Sequence, residues 1–243
     1  MKNRIIKVCG MREPDNIRAV AALGIDMMGF IFYPQSPRYV ASIPSDTGIL
    51  PDRSSLAPLP DAYVKNDAAN GRQGDADVTR GVKRVGVFVD GMPQNIVTAV
   101  YNYHLDYVQL HGSESPVMID NLRRTLVPDI VPQIKIIKAI SVASVDDLQQ
   151  CGQYEGKVDL FLFDTKCSTH GGSGQQYDWS VLNAYSGSTP FLLSGGIGPG
   201  DEERIRAFQH PKCVGIDLNS RFETAPGVKD VEKLREFIQH IRQ

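Results

Sequence analysis

The sequence predicts a single (β/α)8 barrel, the TIM barrel. Eight short apolar runs that suit buried strands recur along 243 residues, and nearly all are followed by a helical segment. About 250 residues and regular alternation of strand and helix are typical of this barrel. A doubly wound open sheet is the alternative, but no G-x-G-x-x-G sequence follows the first strand. We therefore expect residues 1–243 to form one barrel domain.

The predicted strands are too short for amphipathic helices and are rich in Val, Ile, Leu and Phe. Such runs are typical of parallel strands that are covered on both faces. In chain order the predicted strands are Ile5–Gly10, Met27–Phe32, Val85–Val89, Tyr107–Leu110, Ile134–Ile140, Leu160–Phe163, Pro190–Leu193 and Val214–Leu218.

The segments between the strands carry helix signals. Pro14 and Asp15 suit a first turn, because Pro needs no N–H there and an acid faces the positive end of the helix dipole. Gly24 is a stop signal for that helix. The closing segment repeats apolar residues at helical spacing. In chain order the predicted helices are Pro14–Leu23, Ile96–Tyr103, Pro116–Leu126, Val145–Tyr154, a helix that begins at Tyr177–Trp179, Glu202–Phe208 and Val231–Ile241.

Residues 45–80 interrupt this alternation. They are rich in Pro, Asp, Asn, Gly and Ser, and they show no helical periodicity. A segment of this composition buries little apolar area. We therefore expect an irregular insertion that forms an enlarged, mobile connection after the second strand, and the second helix has no assigned position.

Composition and charge exclude several classes of partner. The formal net charge is −2, which argues against nucleic acids and anionic membrane surfaces. No apolar run approaches the roughly 18 residues of a membrane span, and the N-terminal residues have no signal-peptide core. We expect a cytoplasmic protein without nucleic-acid or membrane partners.

The cysteines predict no metal site. They form no C-x-x-C pair and have no His at ligand spacing, so we expect free thiols in a reducing compartment. The four cysteines are Cys9, Cys151, Cys167 and Cys213.

Asp164 is the first candidate for chemistry. In a barrel the active site lies at the C-terminal ends of the strands, and Asp164 follows the sixth predicted strand. Alternation puts it on the same face as Leu160 and Leu162. A carboxylate on an apolar face is costly to bury, so it belongs where the strand leaves the core and meets a ligand. The glycine-rich stretch after it could fold over a small molecule. A strand-end Asp that only caps a turn is the alternative.

Cys9 and His111 end the first and fourth predicted strands. A buried Cys is most often a small hydrophobic residue, but Cys9 shares a face with Lys7. A nearby ammonium favours the reactive thiolate, so we expect Lys7 to lower the pKa of Cys9. His111 fits either a satisfied core histidine or a substrate contact, and both remain open.

Small residues follow the seventh and eighth predicted strands. This is the usual phosphate site of the barrel, where backbone N–H groups and a helix N-terminus hold the anion. Gly-Gly also occurs in plain turns between a strand and a helix. We nevertheless expect a phosphate site at the two connections Ser194-Gly195-Gly196 and Asn219-Ser220.

Short motifs along nearly the whole chain resemble the phosphoribosylanthranilate isomerases of tryptophan biosynthesis. Each motif alone is weak, but their joint order is highly specific. The motifs are Lys7-Val8-Cys9-Gly10, Gly29-Phe30-Ile31-Phe32, Ser36-Pro37-Arg38, Val85-Gly86-Val87-Phe88-Val89, Gln109-Leu110-His111-Gly112, Phe163-Asp164-Thr165, Gly171-Gly172-Ser173-Gly174, Leu193-Ser194-Gly195-Gly196-Ile197 and Gly215-Ile216-Asp217.

The resemblance implies an Amadori rearrangement without a cofactor. N-(5-phosphoribosyl)anthranilate would become 1-(2-carboxyphenylamino)-1-deoxyribulose 5-phosphate. By similarity, Asp164 is the general acid that opens the furanose ring, and Cys9 is the base that removes the C2 proton. Arg38 would face the anthranilate carboxylate. His111 and Asp217 would line the site.

The resemblance also guides the remaining assignments. We assign Gly172 and Gly174 to the phosphate, together with the two connections described above. The expected partner is a phosphosugar substrate, and the expected assembly is a monomer or a homodimer. The chain departs from the family at Asn219-Ser220-Arg221, where many members have Ser-Ser-Gly. This departure leaves side-chain contacts to the phosphate open.

Two other functions remain as alternatives. The sister isomerase of histidine biosynthesis performs the same chemistry on a substrate with two phosphates, but it uses an Asp on the first strand where this chain has Cys9. A catalytically silent barrel that binds phosphosugars is the other. The presence of both Cys9 and Asp164 argues against it.

Overall fold

Eight parallel strands close into a barrel in the computed structural model, which confirms the predicted fold. The structure describes residues 4–41, 43–45, 48–50, 81–128, 130–165 and 178–243. In chain order the strands within these residues are β1 (Ile5–Cys9), β2 (Met27–Ile31), β3 (Ile43–Ser45), β4 (Gly48–Leu50), β5 (Lys83–Phe88), β6 (Tyr107–Leu110), β7 (Lys135–Val142), β8 (Leu160–Thr165), β9 (Phe191–Ser194), β10 (Cys213–Leu218), β11 (Glu223–Ala225) and β12 (Val228–Lys229).

Around the barrel the strand order is β1-β2-β5-β6-β7-β8-β9-β10, and β10 closes the sheet against β1. All eight predicted strands are present, with ends that differ by at most two residues. The α-helices of the described residues are α1 (Pro14–Ala21), α2 (Pro93–Tyr103), α3 (Pro116–Leu126), α4 (Glu202–Ala207) and α5 (Val231–Arg242), of which α5 follows the last strand. Within the described residues, no helix is both long and apolar enough to cross a membrane.

Strand alternation divides the core into two parts. A small cluster fills the barrel interior, and a larger one packs between the strands and the helices. On β8, Leu160 and Leu162 belong to the inner cluster, while Phe161 and Phe163 belong to the outer one. The prediction for this strand is therefore confirmed. Asp164 continues the inward series and reaches the open end of the barrel.

Two of the predicted helices are present as 3-10 helices, Val145–Gln153 and Trp179–Ala184. The buried side chains explain the tighter winding. Leu148, Cys151 and Tyr154 lie three residues apart, as do Trp179, Leu182 and Tyr185. A 3-10 helix has 3.0 residues per turn, so this spacing places each set on one side.

Two hairpins were not predicted. β3 pairs antiparallel with β4, directly after β2, and β11 pairs antiparallel with β12 before α5. These strands have two or three residues each, too short to stand out from the surrounding Pro, Gly and Ser. β4 lies in the segment 45–80, whose residues 51–80 are outside the described part of the structure. The enlarged connection after β2 is confirmed, while its mobility and irregular course stay predictions.

Candidate active site

A cavity of about 190 Å³ opens at the C-terminal ends of the barrel strands. Seven of the eight strands, or the residues directly after them, contribute to its wall. The lining residues are Cys9, Ile31, Val87, Gln109, His111, Asp164, Ser194, Gly195, Gly196, Ile197, Asp217, Asn219, Ser220 and Arg221. The cavity therefore brings together most of the residues that the sequence predicted for the site.

Cys9 is the last residue of β1 and only 4% exposed. Its neighbour on β2 is Gly29, and a Cβ at Gly29 would lie 2.7 Å from Cys9 Sγ. Heavy atoms do not approach so closely without a shift, so glycine at this position makes room for the thiol. The thiol is thus held at the cavity wall by close packing.

Lys7 lies two residues before Cys9 and is completely buried inside the barrel. Its Nζ donates a hydrogen bond to Asp217 Oδ1 at 2.8 Å, and Ser194 Oγ donates to Asp217 Oδ2 at 3.3 Å. Burial disfavours the ammonium, but Asp217 and Cys9 outweigh it and raise the pKa of Lys7. Lys7 therefore stays charged at the base of the cavity.

The pKa of Cys9 differs from the sequence-based expectation. Burial raises it, and the ammonium of Lys7, which lowers it, does not compensate. Asp217 also raises the pKa of Cys9, because its negative charge disfavours a negative thiolate nearby. The expected influence of Lys7 is present, but burial outweighs it. The raised pKa favours the protonated thiol of Cys9.

Asp164 and His111 lie next to each other at the cavity wall. His111 Nε2 lies 3.6 Å from Asp164 Oδ2, and both side chains are partly exposed, 35% and 24%. Behind the imidazole, Gln109 Nε2 lies 3.1 Å from His111 Nδ1. His111 is thus a wall residue of the cavity, not a core histidine.

Arg38 does not line this cavity. Its Nε and Nη2 donate to the carboxylate of Glu223 at 2.8 and 2.6 Å, in the fork geometry that suits this pair. Lys229 Nζ donates to the same carboxylate at 2.7 Å. Burial acts to raise the pKa of Glu223, but the hydrogen bonds from Arg38 and Lys229 outweigh it and lower the pKa to about 2.

The two connections predicted for phosphate lie side by side at one end of the cavity. Gly195 and Gly196 adopt φ angles of +93° and +64°, which glycine tolerates and which turn the chain sharply after β9. Asn219 and Ser220 follow β10, and Asn219 Oδ1 accepts a hydrogen bond from Lys229 Nζ at 2.8 Å. Gly172 and Gly174 lie outside the described residues.

Sequence reasoning did not assign four residues that shape this site. Gln109 could have been found, because alternation from His111 places it inside the barrel. Arg221 directly follows Ser220 and lines the cavity. Glu223 and Lys229 meet only because β11 and β12 form a hairpin, and no sequence signal paired them.

Comparisons with known proteins agree with this geometry. Residues 64–240 match the family model of N-(5'-phosphoribosyl)anthranilate (PRA) isomerase. An N-(5'-phosphoribosyl)anthranilate isomerase from Parabacteroides distasonis is 46% identical over 98% of this chain and 93% of its own length.

Solved structures agree as well. The phosphoribosyl anthranilate isomerase of Thermotoga maritima superposes with a TM-score of 0.72 and 29% identity, over 98% of both chains. A structure of such an isomerase in complex with reduced 1-(o-carboxyphenylamino)-1-deoxyribulose 5-phosphate gives a TM-score of 0.71 and 27% identity, again over 98% of both chains. The chain therefore belongs to the N-(5'-phosphoribosyl)anthranilate isomerase family.

Proposed function

We infer that the protein converts N-(5'-phosphoribosyl)anthranilate to 1-(2-carboxyphenylamino)-1-deoxyribulose 5-phosphate, a step of tryptophan biosynthesis. Family membership and the fold support this activity. The observation that carries it is the joint presence of Cys9 and Asp164 in one cavity, next to the glycine turn after β9. An acid, a base and an anion site are what an aldose–ketose rearrangement of a phosphosugar requires.

In the proposed mechanism, Asp164 begins the reaction as a general acid. It gives its proton to the furanose ring oxygen, the C1–O bond breaks, and the nitrogen lone pair forms a protonated Schiff base. Asp164 lies at the cavity wall with partial exposure, where a carboxyl group can reach a sugar. The ring opening leaves the carboxylate ionised.

Cys9 then acts as the base. Its thiolate removes the proton from C2, and the electrons of that C–H bond form the C1=C2 bond of an enolamine and return a lone pair to nitrogen. Protonation at C1 and loss of the C2 hydroxyl proton give the ketose. Because burial raises the pKa of Cys9, only a small part of the free enzyme holds the thiolate. Lys7, charged and buried beside it, is the counter-ion that makes this form accessible.

We propose that the substrate phosphate binds at Gly195, Gly196, Asn219 and Ser220. Backbone N–H groups at such turns hold anions without needing a charged side chain. The hydrogen bond from Lys229 Nζ to Asn219 Oδ1 holds the turn after β10 in place. The roles proposed for Gly172 and Gly174 rest on the sequence alone.

Arg38 remains our proposed partner of the anthranilate carboxylate. Glu223 engages Nε and Nη2, while Nη1 has no hydrogen bond among the described residues. Nη1 is therefore the part of the guanidinium that we assign to the substrate. The Glu223 pair holds the planar group in one orientation, which lowers the entropy cost of that contact.

Monomeric or homodimeric assembly, cytoplasmic location and the lack of nucleic-acid partners stay predictions. The activity itself is tested with purified protein and N-(5'-phosphoribosyl)anthranilate, by following the loss of substrate fluorescence. We expect turnover without any added cofactor. A protein that binds the reduced product analogue but leaves the substrate unchanged would instead be a silent phosphosugar-binding barrel.

A further inference from the structure

Gln109 is a buried polar residue to which the mechanism above gives no role. It belongs to β6 and is only 1% exposed, yet it lines the cavity. One end of the amide, Nε2, lies 3.1 Å from His111 Nδ1. The other end, Oε1, is buried without a hydrogen-bond partner among the described residues.

The first of these contacts fixes the tautomer of His111. An amide nitrogen only donates hydrogen bonds, so Nδ1 must accept with its lone pair. A neutral ring then carries its proton on Nε2, the nitrogen that faces Asp164 Oδ2 at 3.6 Å. The nearby charges of Lys138 and Glu114 are paired with each other at 3.2 Å. Among the described residues, Asp164 is the carboxyl group that faces Nε2 of the ring.

The unpaired oxygen points to a ligand. A buried acceptor without a donor is unfavourable, and native proteins rarely leave one without a reason. Oε1 belongs to a cavity-lining residue, and the sugar hydroxyls of the substrate are donors of suitable size. A sugar hydroxyl that donates a hydrogen bond to Oε1 would give this oxygen a partner when the substrate binds.

We propose that Gln109 is a positioning residue that holds His111 as the Nε2–H tautomer directed at Asp164, and that its Oε1 accepts a hydrogen bond from a sugar hydroxyl of the substrate. This inference rests on the proposed role of Asp164 as the general acid. At 3.6 Å the imidazole and the carboxyl group are adjacent without a hydrogen bond, so a small shift brings Nε2–H to Oδ2. We assign Oδ1 as the oxygen that carries the proton to the ring oxygen of the sugar.

The tautomer is measured directly by ¹H–¹⁵N correlation spectra of the imidazole rings in uniformly labelled wild-type protein. His111 is one of five histidines and is identified by the signals lost in His111→Asn. We expect a protonated Nε2 and an unprotonated Nδ1 at pH 7.5. A protonated Nδ1 in the wild type overturns the proposal, and this readout needs no Gln109 variant to fold.

The second arm uses Gln109→Met, which keeps the length of the side chain and removes both polar ends. We expect the His111 spectrum to change and the affinity for the reduced product analogue to fall about tenfold, the effect of one lost hydrogen bond. The Ki of inorganic phosphate should not change. Gln149→Met, at an exposed position, is the matched control. An unchanged spectrum or an unchanged analogue affinity in Gln109→Met contradicts the proposal.

Neither the spectra nor the analogue affinity requires turnover. Failure of the proposal for Gln109 can therefore be distinguished from failure of the acid role of Asp164. If Asp164→Asn keeps full turnover, the acid assignment fails, whatever the spectra of His111 show. If Asp164→Asn loses turnover while Gln109→Met behaves as wild type in both measurements, the acid assignment stands and the role of Gln109 fails.

Discussion

Lys7 Nζ and Asp217 Oδ1 form an ion pair at 2.8 Å inside the barrel, where the two side chains are 0% and 7% exposed. The pair lies directly beneath Cys9, and Ser194 donates a further hydrogen bond to Asp217. A buried pair of this kind contributes little net stability, but the loss of one partner leaves an uncompensated charge. We therefore attribute to the Lys7–Asp217 pair an electrostatic role at the Cys9 thiol.

Lys7→Met should destabilise the protein strongly, by about 3–5 kcal/mol, because Asp217 is left buried without its partner. The double variant Lys7→Met/Asp217→Asn removes both charges and should recover much of this loss. Urea unfolding at pH 7 measures both free energies. Equal destabilisation in the single and double variants would show that the two charges do not depend on each other.

The pH dependence of kcat/KM should have two limbs, because the active form needs a protonated Asp164 and an ionised Cys9. With ordinary pKa values of about 3.9 and 8.5, the fraction in this form is constant between the two values and falls outside them. The alkaline limb follows the higher pKa, that of Cys9, which burial raises. We therefore expect this limb above about pH 8.5. An alkaline limb near pH 7 would contradict the buried-thiol assignment.

Arg38→Met should lower kcat/KM roughly ten- to hundredfold, the effect of losing about 1.5–3 kcal/mol from a charge-assisted contact. The phosphate site is separate, so inorganic phosphate should inhibit the variant and the wild type with similar Ki. Steady-state kinetics with phosphate as inhibitor measures both quantities. An unchanged kcat/KM would exclude Arg38 from the site.

Glu223→Gln distinguishes two explanations for a loss of kcat/KM in Arg38→Met. It weakens the fork between Glu223 and Arg38 but keeps the guanidinium for the substrate. We expect a smaller loss of kcat/KM than in Arg38→Met. If both variants lose the same amount, Arg38 acts by holding Glu223 and its hairpin in place.

Stability at acid pH should depend on Glu223. Its pKa is lowered to about 2 in the folded protein, from an ordinary value of about 4.3. The contribution of Glu223 is therefore fully present above about pH 4.3 and is lost as the pH falls towards 2. The difference in unfolding free energy between wild type and Glu223→Gln, from urea titrations, should shrink across this interval. A constant difference would contradict the lowered pKa.

The sequence predicted the barrel well because its strands are distinct apolar runs with a regular spacing. The same alternation that placed Leu160 and Leu162 inside also placed Asp164 at the mouth, as the structure confirms. Strand ends converge at one face of a barrel. The sequence alone therefore predicted one shared site for Cys9, His111, Asp164 and Asp217.

Electrostatics could not be predicted in the same way. Lys7 was expected to lower the pKa of Cys9, but the depth of burial decides the net direction and is not visible in a sequence. The pairing of Arg38 with Glu223 depends on the β11–β12 hairpin, whose strands are too short to carry a pattern. Contacts between residues 185 positions apart follow from the fold, not from local composition.

The acid–base assignment is tested by the kcat of Cys9→Ala, with Asp164→Asn measured alongside it in the same fluorescence assay. Each variant should lose at least roughly a hundredfold in kcat, the usual contribution of a positioned acid or base, because neither new side chain can transfer the proton. KM should change much less, since the phosphate and carboxylate contacts remain. Turnover near the wild-type rate in Cys9→Ala would contradict the assignment of Cys9 as the base, because alanine can neither accept nor relay the C2 proton.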